Sequence, residues 1–382
     1  MMSNLSLGLC VLVGVMWLAI ALAALRVYRF IGELRPISQL PPSPPKISVV
    51  VPARDEEWGI EEAMRSLLAQ EGVDLQIIVV NDGSTDGTRA ILERLAAEDS
   101  RLEVLHDPPL PDGWLGKVNA MHHGVQQATG DLVLFTDADV VHAPRALVSA
   151  TAEMTERDLQ LIALIPMFRW RSLFEHAYVP LFLLALIKFG STRLEDPDYP
   201  DEAAGSGSFM LMNRAVYEAA GGHEPLKLEI VDDVGLAIHM KRAGARVATR
   251  LAPSLLSIRM YVGNRDAFWG IAKNIMAGVA GKLIAVPVVM VVVLGIFGTG
   301  LAVAATGLAM GDSTLLAVGA GLYGFQTATL IPMKTWQDYV PLKLLAWPLL
   351  GVNSIACLIR GAYLQATRST VSWRGRETKL KG

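Results

Sequence analysis

Asp131-Leu132-Val133-Leu134-Phe135-Thr136-Asp137-Ala138-Asp139 carries an apolar strand straight into two carboxylates one residue apart. Acids spaced this way at the mouth of a strand put two hard oxygen ligands on one side. That suits Mg²⁺ or Mn²⁺ held mainly through the oxygens of a phosphate-bearing substrate. Two acids beside a strand are, taken alone, more often turn residues and helix caps. The rest of the chain decides between the readings.

Upstream, Lys46–Pro52 is a short β-branched run, apolar on both sides, as expected of a parallel strand covered on both faces. It ends in Ala53-Arg54-Asp55-Glu56-Glu57. Ile60, Ala63, Met64, Leu67 and Leu68 then recur at helical spacing, and Leu75–Val80 returns to a strand, completing one βαβ unit. That second strand delivers Asn81-Asp82-Gly83-Ser84-Thr85-Asp86-Gly87, a turn and helix start. A third strand and turn falls around Leu102–Asp107. Pro111-Asp112-Gly113-Trp114-Leu115-Gly116-Lys117 is a loop entering a helix with Val118, Met121 and Val125 inward. Three strands therefore finish in polar clusters on one edge of the sheet, at Ala53-Arg54-Asp55, Asn81-Asp82-Gly83 and Asp137-Ala138-Asp139. Ligands of open parallel sheets bind outside the carboxyl ends of the strands, where strand order switches. Separate solvated turns would explain each cluster but not their coincidence.

Downstream, Asp158–Pro166 reads as a further strand. Met167–Gly190, with aromatics interleaved with Arg169 and Arg171, reads as an interfacial helix pair or a buried core helix. Gly205-Ser206-Gly207 is a loop running into an apolar strand, where glycine lets a ligand approach the backbone or simply confers flexibility. A helix from Asn213 closes at Gly221-Gly222. Asp232-Asp233 opens a helix carrying Leu236, Ala237 and Met240. Acids there are commonly dipole partners, but beside the upstream motifs they read as catalytic, Asp233 as base and Asp232 in support. His122, His123 and His176 have no acid or thiol partners at ligand spacing and read as packing or surface residues.

The 382 residues are 52% hydrophobic with a formal charge of -3, a mean hydropathy of +0.37 and a pI near 6.2. This balance suits a membrane protein with a soluble part and excludes a nucleic-acid binder. The two cysteines, Cys10 and Cys357, lie in apolar runs, so no disulfide framework is expected and a cytosolic setting fits. Leu5–Tyr28 is long enough to span a bilayer and reads as an uncleaved anchor, with Arg26 and Arg29 at its far end. Pro41-Pro42-Ser43-Pro44-Pro45 reads as a stiff spacer holding the next domain off the bilayer. Phe268, Ile271, Ala272, Ile275, Met276 and Val279 form an amphipathic stripe. Leu283–Met310 and Leu315–Met333 are apolar spans joined by Gly311-Asp312-Ser313. Leu342–Ile359 is interrupted by Pro348 and Asn353, reading as re-entrant or interfacial. Basic residues flanking these runs place the catalytic domain and the tail in the cytoplasm, on a multi-pass protein of the cell (inner) membrane.

Together, Val51-Pro52-Ala53-Arg54-Asp55-Glu56-Glu57, Val80-Asn81-Asp82-Gly83-Ser84-Thr85-Asp86, Gly113-Trp114-Leu115-Gly116-Lys117, Thr136-Asp137-Ala138-Asp139 and Glu229-Ile230-Val231-Asp232-Asp233 resemble the family 2 glycosyltransferases of GT-A fold, from about Lys46 to Asn274. With Arg259-Met260-Tyr261 and Lys273-Asn274, they resemble the membrane-bound branch that glycosylates lipids, including hopanoid-associated, carotenoid and ceramide enzymes. The resemblance implies an α/β, mostly parallel, Rossmann-like GT-A domain with transmembrane helices before and after it. It implies a nucleotide sugar donor with its uracil and ribose at Pro52, Ala53 and Asp82, ribose and metal at Asp137 and Asp139, and Asp233 as base. Arg54, Asp55 and Lys117 join the donor-binding set, and Gly205, Ser206, Gly207, Arg259 and Tyr261 the acceptor or diphosphate region. The Gln-x-x-Arg-Trp signature of processive synthases is absent, which argues against polymer synthesis.

The expected organisation is an anchor over 1–30, a Pro-rich linker over 31–45, a GT-A domain over 46–265, an interfacial helix over 266–282, a membrane region over 283–360 and a basic tail over 361–382. The expected reaction moves a hexose from a UDP-sugar to a hydroxyl or carboxyl of a membrane lipid, with inversion. A nucleotidyltransferase also uses a strand-end acid pair, but the first strand lacks a glycine-rich basic triphosphate loop. A non-catalytic nucleotide-binding scaffold is the other rival, and acids at every chemical position count against it.

Overall fold

A computed structural model describes residues 2–176, 179, 193–229, 231–268, 286–335, 337–367, 371–373 and 376–378. The chain divides into two compact units. One comprises Arg29–Phe168 with Phe189–Met260, and the other Met1–Tyr28, Arg169–Lys188 and Tyr261–Gly382.

In the first unit the expected alternation appears: β1 (Lys46–Ala53), α2 (Ile60–Leu68), β2 (Asp74–Asn81), α3 (Thr88–Glu98), β3 (Leu102–His106), α4 (Gly116–Val125) and β4 (Leu132–Phe135), with α1 (Met2–Ile31) preceding them. After β5 (Val140–His142) and α5 (Ala146–Glu156) come β6 (Leu161–Ile165), β7 (Met167–Arg169), β8 (Met210–Asn213), β9 (Val247–Leu251) and β10 (Leu256–Ile258). The main sheet runs β3-β2-β1-β4-β8-β6-β9. β1 pairs in parallel with both β2 and β4, while β8 lies antiparallel between β4 and β6. Strand order therefore reverses at β1, which makes the carboxyl ends of β1 and β4 the crevice of the sheet. β1 is buried along nearly its whole length, as its two-sided apolar pattern requires. Val118 and Met121 of α4 join Val50, Ile78, Phe135, Met210 and Leu236 in one core.

The strand expected over Asp158–Pro166 starts only at Leu161, because Asp158 takes a positive φ of 53° and turns the chain first. Asn213 caps the next helix, Arg214–Ala219, accepting the Val216 N–H at 3.1 Å. Gly221 and Gly222, at φ 91° and 60°, end it.

Residues 33–38, ahead of the Pro-rich stretch, pack against the first unit. Glu33 bridges Leu251 of the edge strand β9, and Leu34 N–H donates to the Leu251 carbonyl at 2.8 Å. Arg145 donates to the carbonyls of Ile37 and Ser38. An edge strand leaves a row of unpaired backbone groups, and residues just past the anchor satisfy part of it.

In the second unit, Val286–Met310 and Ser313–Leu330 are apolar helices separated by Gly311 at φ 65° and Asp312, whose side chain accepts the N–H groups of Thr314 and Leu315. A Cβ at Gly307 would stand 2.3 Å from Leu316 N, and one at Gly319 would stand 2.2 Å from Ala304 N. The backbones thus touch through small residues, the usual packing where lipid tails compete with side chains. Trp17 of α1 donates to Thr329 Oγ1 at 2.6 Å and packs against Phe297 and Trp347. Ser6–Ile31 and Ser313–Thr335 are long and apolar enough to cross a membrane, by length and composition. The last apolar segment is broken as its proline suggests, into a 3-10 helix Pro341–Ala346 and a helix Leu349–Ala366. Most of the expected Met167–Gly190 pair, the stripe from Ile271 to Val279 with Lys273 and Asn274, and residues 283–285 lie outside the described residues.

Candidate active site

The acids expected at the sheet edge converge on one lysine. Lys117 is the second residue of α4, whose inner face the core clamps against the sheet, so its side chain leaves at the carboxyl end of β1. Its Nζ lies 2.9 Å from Asp137 Oδ1 and 3.2 Å from Asp232 Oδ2. Asp137 stands two residues past β4, and Asp232 and Asp233 open the helix Asp232–Arg242. Burial would lower the Lys117 ammonium, but Asp137, Asp232 and Asp233 outweigh it and hold it well above its usual value. Burial pushes the Asp232 carboxyl up to about 6, against the pull of Lys117.

The glycine loop is threaded between these acids. Asp137 N–H donates to the Gly207 carbonyl at 2.9 Å, and Gly207 N–H donates to Asp233 Oδ2 at 2.8 Å. A Cβ at Gly205 would stand 2.1 Å from the Asp233 carbonyl oxygen, and one at Gly207 would stand 2.7 Å from Asp137 Oδ2. At both glycines the protein's own chain makes a close approach. Asp233 Oδ1 also accepts the Val234 N–H at 2.8 Å, so its carboxylate is oriented by backbone, whereas Asp232 faces a cation.

Pro52, Lys117, Asp137, Gly207, Asp232 and Asp233 surround a cavity of about 10 Å³, far too small for a sugar nucleotide. The other expected residues serve nearby backbone. Asp82, buried, donates its N–H to the Ala53 carbonyl at 2.9 Å, and the Arg54 guanidinium donates to the Asp82 carbonyl. Asp55, at φ 53°, accepts the Thr85 N–H at 2.6 Å and so ties the first strand-end loop to the second. The Ser206 carbonyl accepts the Phe209 N–H at 2.9 Å. Arg259 directly follows β10, and Tyr261 belongs to the other compact unit. The sequence reading did not single out His223 and Tyr217, which lie against Phe135 at the end of β4. A histidine after Gly221-Gly222 was the sole signal.

Asp137 and Asp139 are both half-buried and flank the buried Ala138, so both carboxylates are kept near the surface at the strand end. Among the described residues no group of three or more His, Cys, Asp or Glu is placed to hold a metal ion. Two hard carboxylates suit a divalent cation that takes its remaining ligands from diphosphate oxygens.

Residues 48–221 match Glycosyl transferase family 2. Over those residues the chain is similar to the family 2 glycosyltransferases. The chain is 26% identical over 258 residues to a 4,4'-diaponeurosporenoate glycosyltransferase of Staphylococcus aureus (strain MRSA252), covering 66% of each chain. It is 26% identical over 237 residues to the Staphylococcus haemolyticus (strain JCSC1435) protein of that name, covering 61% of each. The match thus spans just under two thirds of those relatives. A mannosyltransferase from Pyrobaculum calidifontis, solved in complex with GDP-Man and Mn²⁺, superposes with a TM-score of 0.58 at 19% identity over 93% of this chain and 98% of that one. The shared fold is the GT-A fold that the motifs led us to expect.

Proposed function

We propose that this family 2 glycosyltransferase moves a hexose from a nucleoside diphosphate sugar, with UDP as the expected nucleotide, to a hydroxyl or carboxyl of a membrane lipid, inverting the anomeric carbon. The observation that carries this reading is the convergence of Asp137, Asp232 and Asp233 on Lys117 at the crevice where strand order reverses. The relatives' names add an acceptor class, a long apolar polyene ending in a carboxyl. Apolar helices Ser6–Ile31 and Ser313–Thr335 suit an enzyme that meets such an acceptor at a bilayer.

In this mechanism the donor lies across the carboxyl ends of β1, β2 and β4. Asp137 and Asp139 would hold Mg²⁺ or Mn²⁺, which when bound offsets charge on the departing diphosphate. Lys117 adds an ammonium to the same task. The acceptor oxygen attacks the anomeric carbon as the bond to the diphosphate breaks, and the nucleoside diphosphate leaves with the bonding pair. Asp233, oriented by the N–H groups of Gly207 and Val234, takes the acceptor's proton where that acceptor is a hydroxyl. A carboxylate acceptor arrives already ionised and needs no base. Asp232 keeps Lys117 in place. One displacement without a covalent intermediate inverts the centre.

Mass spectrometry of lipid extracts incubated with the detergent-purified chain and a panel of labelled nucleotide sugars tests the proposal. A glycosylated lipid with release of nucleoside diphosphate is expected; pyrophosphate release would make the chain a nucleotidyltransferase instead. The proposed topology puts the catalytic unit in the cytosol. A cysteine at Ser313 should label from outside intact cells and one at Ser372 should not.

A further inference from the structure

His223 has no part in the chemistry above, yet it stands against the acid cluster. It is fully buried, its ring set edge-on to Phe135 with centroids 4.7 Å apart. Its Nδ1 lies 2.6 Å from the Tyr217 hydroxyl, while Nε2 has no hydrogen-bond partner among the described residues. The ring also borders the 10 Å³ cavity shared with Lys117, Asp137, Asp232 and Asp233. A buried polar nitrogen left unsatisfied costs about 1–3 kcal/mol. The cavity is lined by charged and apolar side chains together and has room for about one water.

The tautomer follows from the neighbours. The 2.6 Å contact is the one hydrogen bond of the Tyr217 hydroxyl among the described residues, so the buried phenol proton has no acceptor there other than Nδ1. Nδ1 is then the acceptor, and Nε2 carries the hydrogen. Burial lowers the imidazole to about 3, and His122, Lys117 and His239 oppose its charging further. The ring is neutral at working pH and donates without shuttling protons.

We propose that His223 is a positioning residue whose Nε2–H donates to one buried water in this cavity, and that this water in turn donates to the carboxylate side of the Lys117–Asp232 pair. Tyr217 fixes the tautomer, Phe135 fixes the ring plane, and the water ties the end of β4 to the start of the helix Asp232–Arg242. This rests on the transfer reading for its kinetic consequence but not for its geometry.

The test uses the full chain in detergent. Imidazole ¹⁵N–¹H correlation spectra of the wild type should show His223 as the Nε2–H tautomer, and an Nδ1–H tautomer would overturn the proposal whatever the enzyme's activity. His223→Gln keeps a donor in the cavity and should hold kcat within about threefold, while His223→Leu should lower kcat about tenfold with donor KM unchanged. Equal losses in the two variants, or wild-type kcat in His223→Leu, would equally overturn it. Should His223→Leu fail to fold, Tyr217→Phe serves in its place, since it keeps the ring and removes the hydroxyl. Mixed tautomers and a several-fold lower kcat are expected there, and an unchanged Nε2–H tautomer with unchanged kcat defeats the idea. A wild-type chain without transferase activity would remove the proposed function while leaving the spectral result to stand.

Discussion

Lys117 Nζ lies 2.9 Å from Oδ1 of Asp137, the same carboxylate that the Asp-x-Asp motif offers to a divalent cation. A divalent cation held there as proposed would compete with the ammonium for that carboxylate. Lys117→Met should change the two properties in opposite directions. Mn²⁺ affinity, read by calorimetry without donor, should rise about tenfold as three carboxylates lose their cation, while turnover falls at least about tenfold. A parallel fall in both would remove Lys117 from the competition.

Asp137→Asn and Asp139→Asn should each abolish turnover and make donor binding insensitive to Mn²⁺, because a two-carboxylate site loses half its charge. Fluorescence titration of labelled nucleotide with and without EDTA reads this directly. Full activity of both variants in EDTA would show that no metal is held there.

Asp233→Asn should leave donor affinity near normal and lower turnover toward a hydroxyl acceptor by about 10²- to 10⁴-fold, the usual contribution of a general base. Asp232→Asn should cost less, since it removes a partner of Lys117 and not the proton acceptor. The reverse ranking in purified, folded variants would move the base to Asp232.

Asp232, pushed up to about 6 by burial against the pull of Lys117, is ionised above that pH and neutral below it. As pH falls through about 6 the ion pair with Lys117 is lost, so kcat/KM of the free enzyme should decline on the acid side. Asp232→Asn, neutral throughout, should lack that limb. A pH profile with the same acid limb in the variant would assign it to another group.

Gly207→Ala would put a methyl 2.7 Å from Asp137 Oδ2 and 3.4 Å from Lys117 Nζ. Both are ends of flexible side chains, so the fold should survive while the pair is pushed apart, and turnover should fall about tenfold or more. Gly205→Ala meets the Asp233 backbone carbonyl at 2.1 Å, which cannot swing away. That variant should lose thermal stability as well, by several degrees in a melting experiment. Equal melting temperatures for the two would mean that the loop has slack.

Local pattern determined a great deal. A β-branched, two-sided run marked β1 and apolar runs marked β2 and β4, helical spacing marked α2 and α4, and polar clusters at the strand ends located the crevice before any strand order was known. The Gly311-Asp312 turn and the break near Pro348 were legible for the same reason: backbone period and special φ values are written in adjacent residues. Partners far apart in the chain were not. Lys117 and Asp232 are separated by 115 positions, and only the placement of α4 and the helix Asp232–Arg242 on one sheet brings them together. Tertiary packing likewise turned the glycine loop into a strap between Asp137 and Asp233, laid the linker on the open edge of β9, and set His223 behind the acids. Each of these depends on which element lies beside which, a relation that strand order decides and that no short window of sequence contains.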